Sequence, residues 1–170
     1  PRVLKVPATM RDKRVWGLAT QLYSVRSKGS WGVGDLVDLR DLAVWSAAEH
    51  GADYVLVNPL HAAQPSAPME PSPYLPTTRR FASPLYLRPE LVPEYAELPA
   101  ADRARVDALA REAAESNEKD TIDRDASWSA KLEALRLLFA VPLSPRRSES
   151  FDRFAVEQPG LRGFATWCAL

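Results

Sequence analysis

The sequence is poor in the residues that build covalent or metal-bound frameworks. It has a single cysteine, Cys168, and two histidines, His50 and His61. One thiol excludes an internal disulfide framework and fits a reducing compartment, taken here as the cytoplasm. No pair of His, Cys or carboxylate residues has zinc spacing. Asp120, Asp123 and Asp125 lack the glycine and terminal glutamate of a calcium loop. No metal and no other cofactor is expected. An excess of charge of one sign is also lacking, because 22 basic residues face 22 acidic ones. Such a chain has no general attraction for phosphate backbones or anionic lipid, so nucleic acid and membrane are poor partners. No apolar run approaches the roughly 18 residues of a membrane span. Glycine is scarce, yet three of the seven glycines fall between positions 29 and 34.

What is present is ordinary globular material: 170 residues, 46% hydrophobic and 26% charged, enough for one domain with a core. Residues 1–13 carry little pattern and read as a lead-in or the end of a preceding domain. The start on Pro1 and the apolar ending from Phe164 to Leu170 read as a segment cut from a longer protein. Residues 15–25 mix β-branched, aromatic and apolar side chains and predict a strand. The glycines at 29, 32 and 34 mark a loop, and Asp35 is a good N-cap for a helix over 35–50. Leu36, Leu39, Leu42, Ala43 and Ala47 fall on one face of that helix, and Gly51 closes it. Residues 54–57 form a short continuous apolar run of the kind that buried parallel strands show. Strand, loop, helix and strand in about 45 residues predict a βαβ unit over 14–60, hence an α/β fold.

From Asn58 to Pro99 the character changes, for ten of the 15 prolines lie there and exclude long helices. Tyr74, Phe81, Tyr86 and Tyr95 are too many aromatics for a disordered linker, so a long ordered loop is expected, of the kind that carries function. Residues 100–118 predict a polar, alanine-rich helix. A more amphipathic one opens at Asp125 or Ser127 and runs through Leu132, Leu135, Leu138 and Phe139 to Pro142. Further helices are expected over 148–156 and from about Leu161.

Several constellations reduce to structural roles. The Gly29–Gly34 loop matches neither G-x-G-x-x-G nor the phosphate-binding G-x-x-x-x-G-K-[ST], and Asp35 would repel a phosphate there, so it reads as a tight turn. Asp35 with Asp38, and Glu112 with Glu115, have helical spacing and read as solvated faces. His50 sits in a helix's last turn, where the dipole favours a cation. His61 lies just past a strand's C-terminal end, where α/β barrels place their sites, and serves a site or the scaffold equally well. No G-x-S-x-G elbow occurs, and nothing identifies a nucleophile or any other catalytic residue. The sharpest local feature is Ser72-Pro-Tyr74. Pro71, Pro73 and Pro76 hold it extended, so Tyr74 offers a flat face and a hydroxyl with little entropy left to lose. That combination suits a sugar ring. It also suits a plug that fixes the loop to the scaffold, as expected for Phe81 and Tyr86.

Read in order, the segments resemble the amylomaltases, the 4-α-glucanotransferases of glycoside hydrolase family 77. The resemblance rests on Trp16–Arg26, Trp31–Leu36, Gly51–His61, Ser72–Tyr74 and Arg79–Tyr86, with Ile122–Asp125 as a looser sixth block. It implies the N-terminal portion of a (β/α)8 TIM barrel. On that template 14–60 is the first βαβ unit, 61–99 a Pro-rich substrate-side loop and 100–170 a helical insertion, incomplete at its end. A full barrel takes around 250 residues, so the resemblance also implies a fragment. The implied activity is transfer of α-1,4-glucan segments between maltooligosaccharide donors and acceptors, by a retaining double displacement. The family's catalytic carboxylates match no block here, so no catalytic residue is assigned and this segment alone is expected to be inactive. Ser72 and Tyr74 carry over as donor-side substrate contacts, while Asn58 and His61 orient the loop or reach a sugar. The chain departs from the family pattern at Pro71, where many members have a polar residue, and at Gln21, where some have His. Competing readings are a noncatalytic α-glucan-binding module and a hydrolytic relative in the α-amylase clan.

Overall fold

A computed structural model of the chain describes residues 14–170, so the lead-in expected over 1–13 lies outside the described residues. Two short strands, β1 (Gly17–Thr20) and β2 (Tyr54–Val57), pair in parallel with Gly17 opposite Tyr54 and Thr20 opposite Val57. Helix α1 (Leu36–His50) lies between them in sequence. Four more helices follow the proline-rich stretch: α2 (Ala100–Ala114), α3 (Arg124–Phe139), α4 (Pro145–Glu157) and α5 (Leu161–Ala169). None among the described residues is long and apolar enough to cross a membrane.

The first strand is shorter than expected over 15–25. After Thr20 the chain leaves the sheet for a single 3-10 turn, Leu22–Ser24. The cause is a side chain from elsewhere: Asn58 Oδ1 accepts the Leu22 N–H at 2.6 Å and takes it out of any ladder. The glycine-rich loop then passes so close beneath this turn that a Cβ on Gly34 would collide with the Leu22 and Val25 carbonyls. Glycine is therefore required at 34 for approach rather than for dihedral freedom.

Helix α1 begins with a reciprocal capping box. Asp35 accepts from the amides of Val37 and Asp38, while Asp38 accepts from the amide of Asp35. Gly51, at φ 67°, ends the helix in the left-handed conformation that its residue type suggested. The two carboxylates do not form the solvated face expected of their spacing. Both are buried, and Arg88, from the proline-rich stretch, lies against them. Arg88 Nε donates to Asp35 Oδ2 at 2.8 Å, and its Nη2 stands 3.0 Å from Asp38 Oδ1. The second contact is poorly angled for a hydrogen bond, so its attraction is coulombic. Burial pushes the Asp38 carboxyl up, but the Ser27 and Ser30 hydroxyls, the Asp35 amide and Arg88 together hold it below the usual carboxylate range.

Two buried clusters flank this centre. Trp31 packs with Leu98, Val106, Leu109, Ala134 and Leu138, so an indole from the glycine loop completes the core between α2 and α3. Val33 packs with Met69, Leu85 and Trp128. The glycine loop expected to be a simple turn thus supplies one large side chain to each cluster. Its backbone is clamped by Asn117, which donates to the Ser27 and Ser30 carbonyls and accepts from the Gly32 amide. Lys131 of α3 is wholly buried and donates to the Leu85 carbonyl at 2.6 Å. Burial is the main cause that brings its pKa down to about 8, against the pull of Asp35, Asp38 and Glu90.

Other expectations shift at the margins. Helix α3 starts at Arg124, with Asp123 capping the Ala126 amide, one turn or less ahead of the start expected at Asp125 or Ser127. Strand β2 is not enclosed on both faces, for Tyr54 and Leu56 stay exposed while Val55 and Val57 are half-buried. The reason is that the sheet has only two strands among the described residues. Of the face expected to be apolar on α1, Leu39, Leu42 and Ala43 are half-buried while Leu36 and Ala47 are exposed.

Two outcomes follow for the full-length protein. Arg88→Met leaves two buried carboxylates facing each other without a cation and should cost about 3–5 kcal/mol in urea unfolding. Lys131 gives up its proton at a lower pH when folded than when unfolded, so between about pH 8 and 10.5 only the unfolded chain holds it. Stability should therefore rise with pH across that window, by an order-of-magnitude limit of about 3 kcal/mol. The parent's curve should rise relative to that of Lys131→Met, and parallel curves from pH 7 to 10 would contradict this account of Lys131.

Candidate functional site

Parallel strands present their C-terminal ends on one side, and the loops that leave them meet there. At the end of β1 stand Thr20 and Gln21, and at the end of β2 stand Val57 and Asn58. Asn58 is buried and its amide is fully engaged. Its Oδ1 takes the Leu22 amide, while Nδ2 donates to the Pro59 carbonyl at 2.8 Å and to Tyr86 Oη at 3.2 Å. One side chain thereby ties both strand exits to the far end of the proline-rich loop. Burial pushes the Tyr86 hydroxyl up from its ordinary value, so it stays protonated through neutral pH.

The loop is pinched at its neck. His61 pairs with Ala82 in an isolated antiparallel bridge, the Ala62 amide donates to the Phe81 carbonyl, and the Ser83 amide donates to the Leu60 carbonyl. Between these two limbs the crest is shaped by local bonds. The Ser72 amide donates to Glu70, the Tyr74 amide donates to Ser72 Oγ, and the Leu75 amide donates to the Ser72 carbonyl. Such side-chain-to-backbone turns hold a proline-flanked segment in one shape. Tyr74 is carried back over the strand ends, where its Oη accepts from Gln21 Nε2 at 3.3 Å. The ring is 58% exposed.

Thr20, Gln21, Val57, Asn58 and Tyr74 line an open cleft of about 370 Å³. Its walls offer an aromatic face, a threonine hydroxyl, a carboxamide and an aliphatic floor, a mixture suited to a polyhydroxylated ring with an apolar face. No carboxylate of the described residues lines it, so they can bind and orient but supply no acid, base or nucleophile of the kind that splits a glycosidic bond. Ser72 and His61 face elsewhere, onto a cavity of about 30 Å³ shared with Glu70, Tyr86 and Arg124, which holds no more than a water or two. Of the four residues singled out from the sequence, Tyr74 and Asn58 therefore meet at the cleft, and Ser72 and His61 meet behind it. A roomier hollow, about 780 Å³ between α3 and α4, is lined by Leu138, Phe139, Phe151 and Phe154 and shares no residue with the cleft. No group of three or more potential metal ligands occurs among the described residues.

Sequence reasoning missed Gln21 and Thr20 as cleft residues. The available signal was their place at the C-terminal end of a strand segment, as its last residue and the one that follows. It missed Arg124 as well, whose guanidinium lies 4.8 Å above the Tyr23 ring and borders the smaller cavity.

A family model described as 4-alpha-glucanotransferase, glycoside hydrolase family 77, matches residues 20–170. The curated 4-alpha-glucanotransferases of Mycobacterium bovis and Mycobacterium tuberculosis are each 53% identical over 178 aligned positions, covering 100% of this chain and 24% of theirs. That of Haemophilus influenzae is 39% identical over 141 positions, covering 82% of this chain and 20% of its own. The crystal structure of amylomaltase from Corynebacterium glutamicum superposes with a TM-score of 0.85 at 47% identity, over 92% of this chain and 22% of that one. The chain spans about a quarter of the length of the curated relatives it matches. Sequence and structure agree, and the chain belongs to glycoside hydrolase family 77, the 4-alpha-glucanotransferases.

Proposed function

We propose that the protein carrying this segment transfers α-1,4-glucan pieces from one maltooligosaccharide to another, with retention at the anomeric carbon. In such a reaction one carboxylate attacks the donor to form a glycosyl-enzyme, and a second serves as acid and then as base. Neither carboxylate is in this segment, which supplies part of the donor wall. The observation that carries the reading is Tyr74, an aromatic ring held over the joined ends of two parallel strands beside an open polar cleft. A sugar stacks its C–H face on that ring and bonds its hydroxyls to the phenol and to Thr20. Asn58 acts from beneath by holding both strand exits in place, and Ser72 and His61 hold the crest and neck of the loop that delivers Tyr74. No cofactor is needed for this chemistry.

The same reading takes β1, α1 and β2 as the first unit of a (β/α)8 barrel, 61–99 as a substrate-side loop and 100–170 as a helical insertion. The amylomaltase neighbour and the parallel pairing of β1 and β2 support it. A loop that covers the site also favours transfer, since an acceptor hydroxyl must outcompete water for the intermediate. The lone thiol fits a cytoplasmic setting.

The test is maltotriose disproportionation by the full-length protein, followed by chromatography. Longer oligosaccharides formed together with glucose support transfer, whereas glucose and maltose alone would identify a hydrolase. Binding of maltoheptaose with no turnover would identify a glucan-binding module. Tyr74→Ala should raise KM for maltotriose about tenfold while the melting temperature stays within about 2 °C, because the ring is largely exposed. Normal kinetics in that variant would remove Tyr74 from the donor wall. Asn58→Ala should behave differently and lower stability by roughly 1–3 kcal/mol, because it strands the buried Leu22 amide.

A further inference from the structure

Gln21 is the one cleft residue whose chemistry the donor-wall reading leaves unused. It sits in extended backbone at φ −95° and ψ 110°, between the last residue of β1 and the Leu22 amide held by Asn58. Its position is therefore fixed from both sides. The side chain makes one hydrogen bond, from Nε2 to Tyr74 Oη, and its Oε1 is shielded from solvent with no partner among the described residues. The opposite amide orientation would bury an unpaired N–H in place of an unpaired carbonyl oxygen, and orphaned N–H groups are the rarer of the two in folded proteins. A buried acceptor without a partner opposes folding. Stability thus gives no reason for an amide here, and the bond to Tyr74 does.

We propose that Gln21 is a positioning residue that sets the direction of the Tyr74 hydroxyl, so that the phenol donates its proton to an oxygen of the bound glucan. A phenol has one proton to give and lone pairs to accept with. Because Gln21 occupies a lone pair of Tyr74 Oη, the proton turns away from Gln21 towards the open side, where the ring is 58% exposed. The sugar group recognised is then an acceptor: a ring or glycosidic oxygen, or a hydroxyl that itself donates elsewhere. The inference rests on the reading of the cleft as a donor-sugar site.

Gln21→Glu inverts this polarity with almost no change in shape. An ionised carboxylate accepts only, so it takes the Tyr74 proton and leaves the phenol nothing to donate. In the full-length protein at pH 7.5, the variant should raise KM for maltotriose about tenfold and leave kcat within about twofold. The ratio of variant to parent KM should fall as pH drops towards 5, because the protonated carboxyl can donate to Tyr74 Oη again. In a Tyr74→Phe background the same change should add less than about twofold, since the phenol through which it acts is gone. Gln21→Leu, which removes the donor without adding a charge, serves if Gln21→Glu does not fold; its smaller rise in KM should not depend on pH and should vanish in the same background.

A full additive effect in the Tyr74→Phe background overturns the proposal and makes Gln21 a direct sugar contact. A change confined to kcat, or no change at all, overturns it too. If Tyr74→Phe raises KM and the Gln21 variants do not, only this inference fails. If Tyr74→Phe itself keeps the parent KM, the hydroxyl makes no bond to the sugar and this inference fails, whereas the donor-wall reading, which rests on the ring, falls only with normal kinetics in Tyr74→Ala.

Discussion

The structure turns on one guanidinium between two carboxylates. Arg88 comes from the proline-rich stretch, while Asp35 and Asp38 open α1, and all three are shielded from bulk water. A single buried carboxylate would cost several kcal/mol unpaired, and two side by side would also repel. The cation relieves both penalties at once, and only when the long loop lies across the start of the helix. Ser27 and Ser30 use the remaining carboxylate lone pairs, which fixes the glycine loop to the same point. The glycine loop and the helix start that follows it are thus aligned with a loop 53 positions past Asp35 by a requirement for charge neutrality rather than by apolar contact.

Around that centre, polar groups are buried in pairs. The Trp31 indole donates to Glu90, and the Trp128 indole donates to the Pro65 carbonyl, so each ring adds bulk to a cluster and satisfies a loop acceptor. Lys131 does the same for Leu85 with less balance, since one carbonyl is modest compensation for a buried ammonium. The proline-rich stretch lacks a backbone donor at each of its ten prolines. It relies on these side chains from α3 and from the glycine loop to stay seated, and that seating is what holds Tyr74 over the strand ends.

Much of the local structure was legible in the residues. Asp35 as a cap, Gly51 as a stop, the parallel pairing of the strand segments and the exclusion of long helices between Asn58 and Pro99, where only short 3-10 turns form, all follow from short-range chemistry. What escaped were effects of partners far along the chain. Asp35 and Asp38 have the spacing of a solvated face, and nothing nearby in sequence reveals an arginine 53 positions past Asp35. Residues 21–25 have strand-like composition, but the Asn58 side chain, 36 positions past Leu22, draws the Leu22 amide out of the ladder. At the cleft, Tyr74 stood out because prolines flank it. Gln21 was marked only as a departure from the family pattern, because a glutamine in a run of mixed residues has no signature of its own until its neighbour across space is known.

The place of Trp31 has a consequence for modularity. The helical pair α2 and α3 looks like a unit that could be moved, since its partners are close in sequence. Yet its core is closed by an indole from a loop that precedes both helices by more than 60 residues, packed against Leu98, Val106 and Leu138. Cut free, the pair would expose a hole the size of a tryptophan. The helical pair is therefore not a self-contained block: it and the glycine loop share one interior, and it cannot be exchanged between homologues without carrying the Trp31 loop along with it.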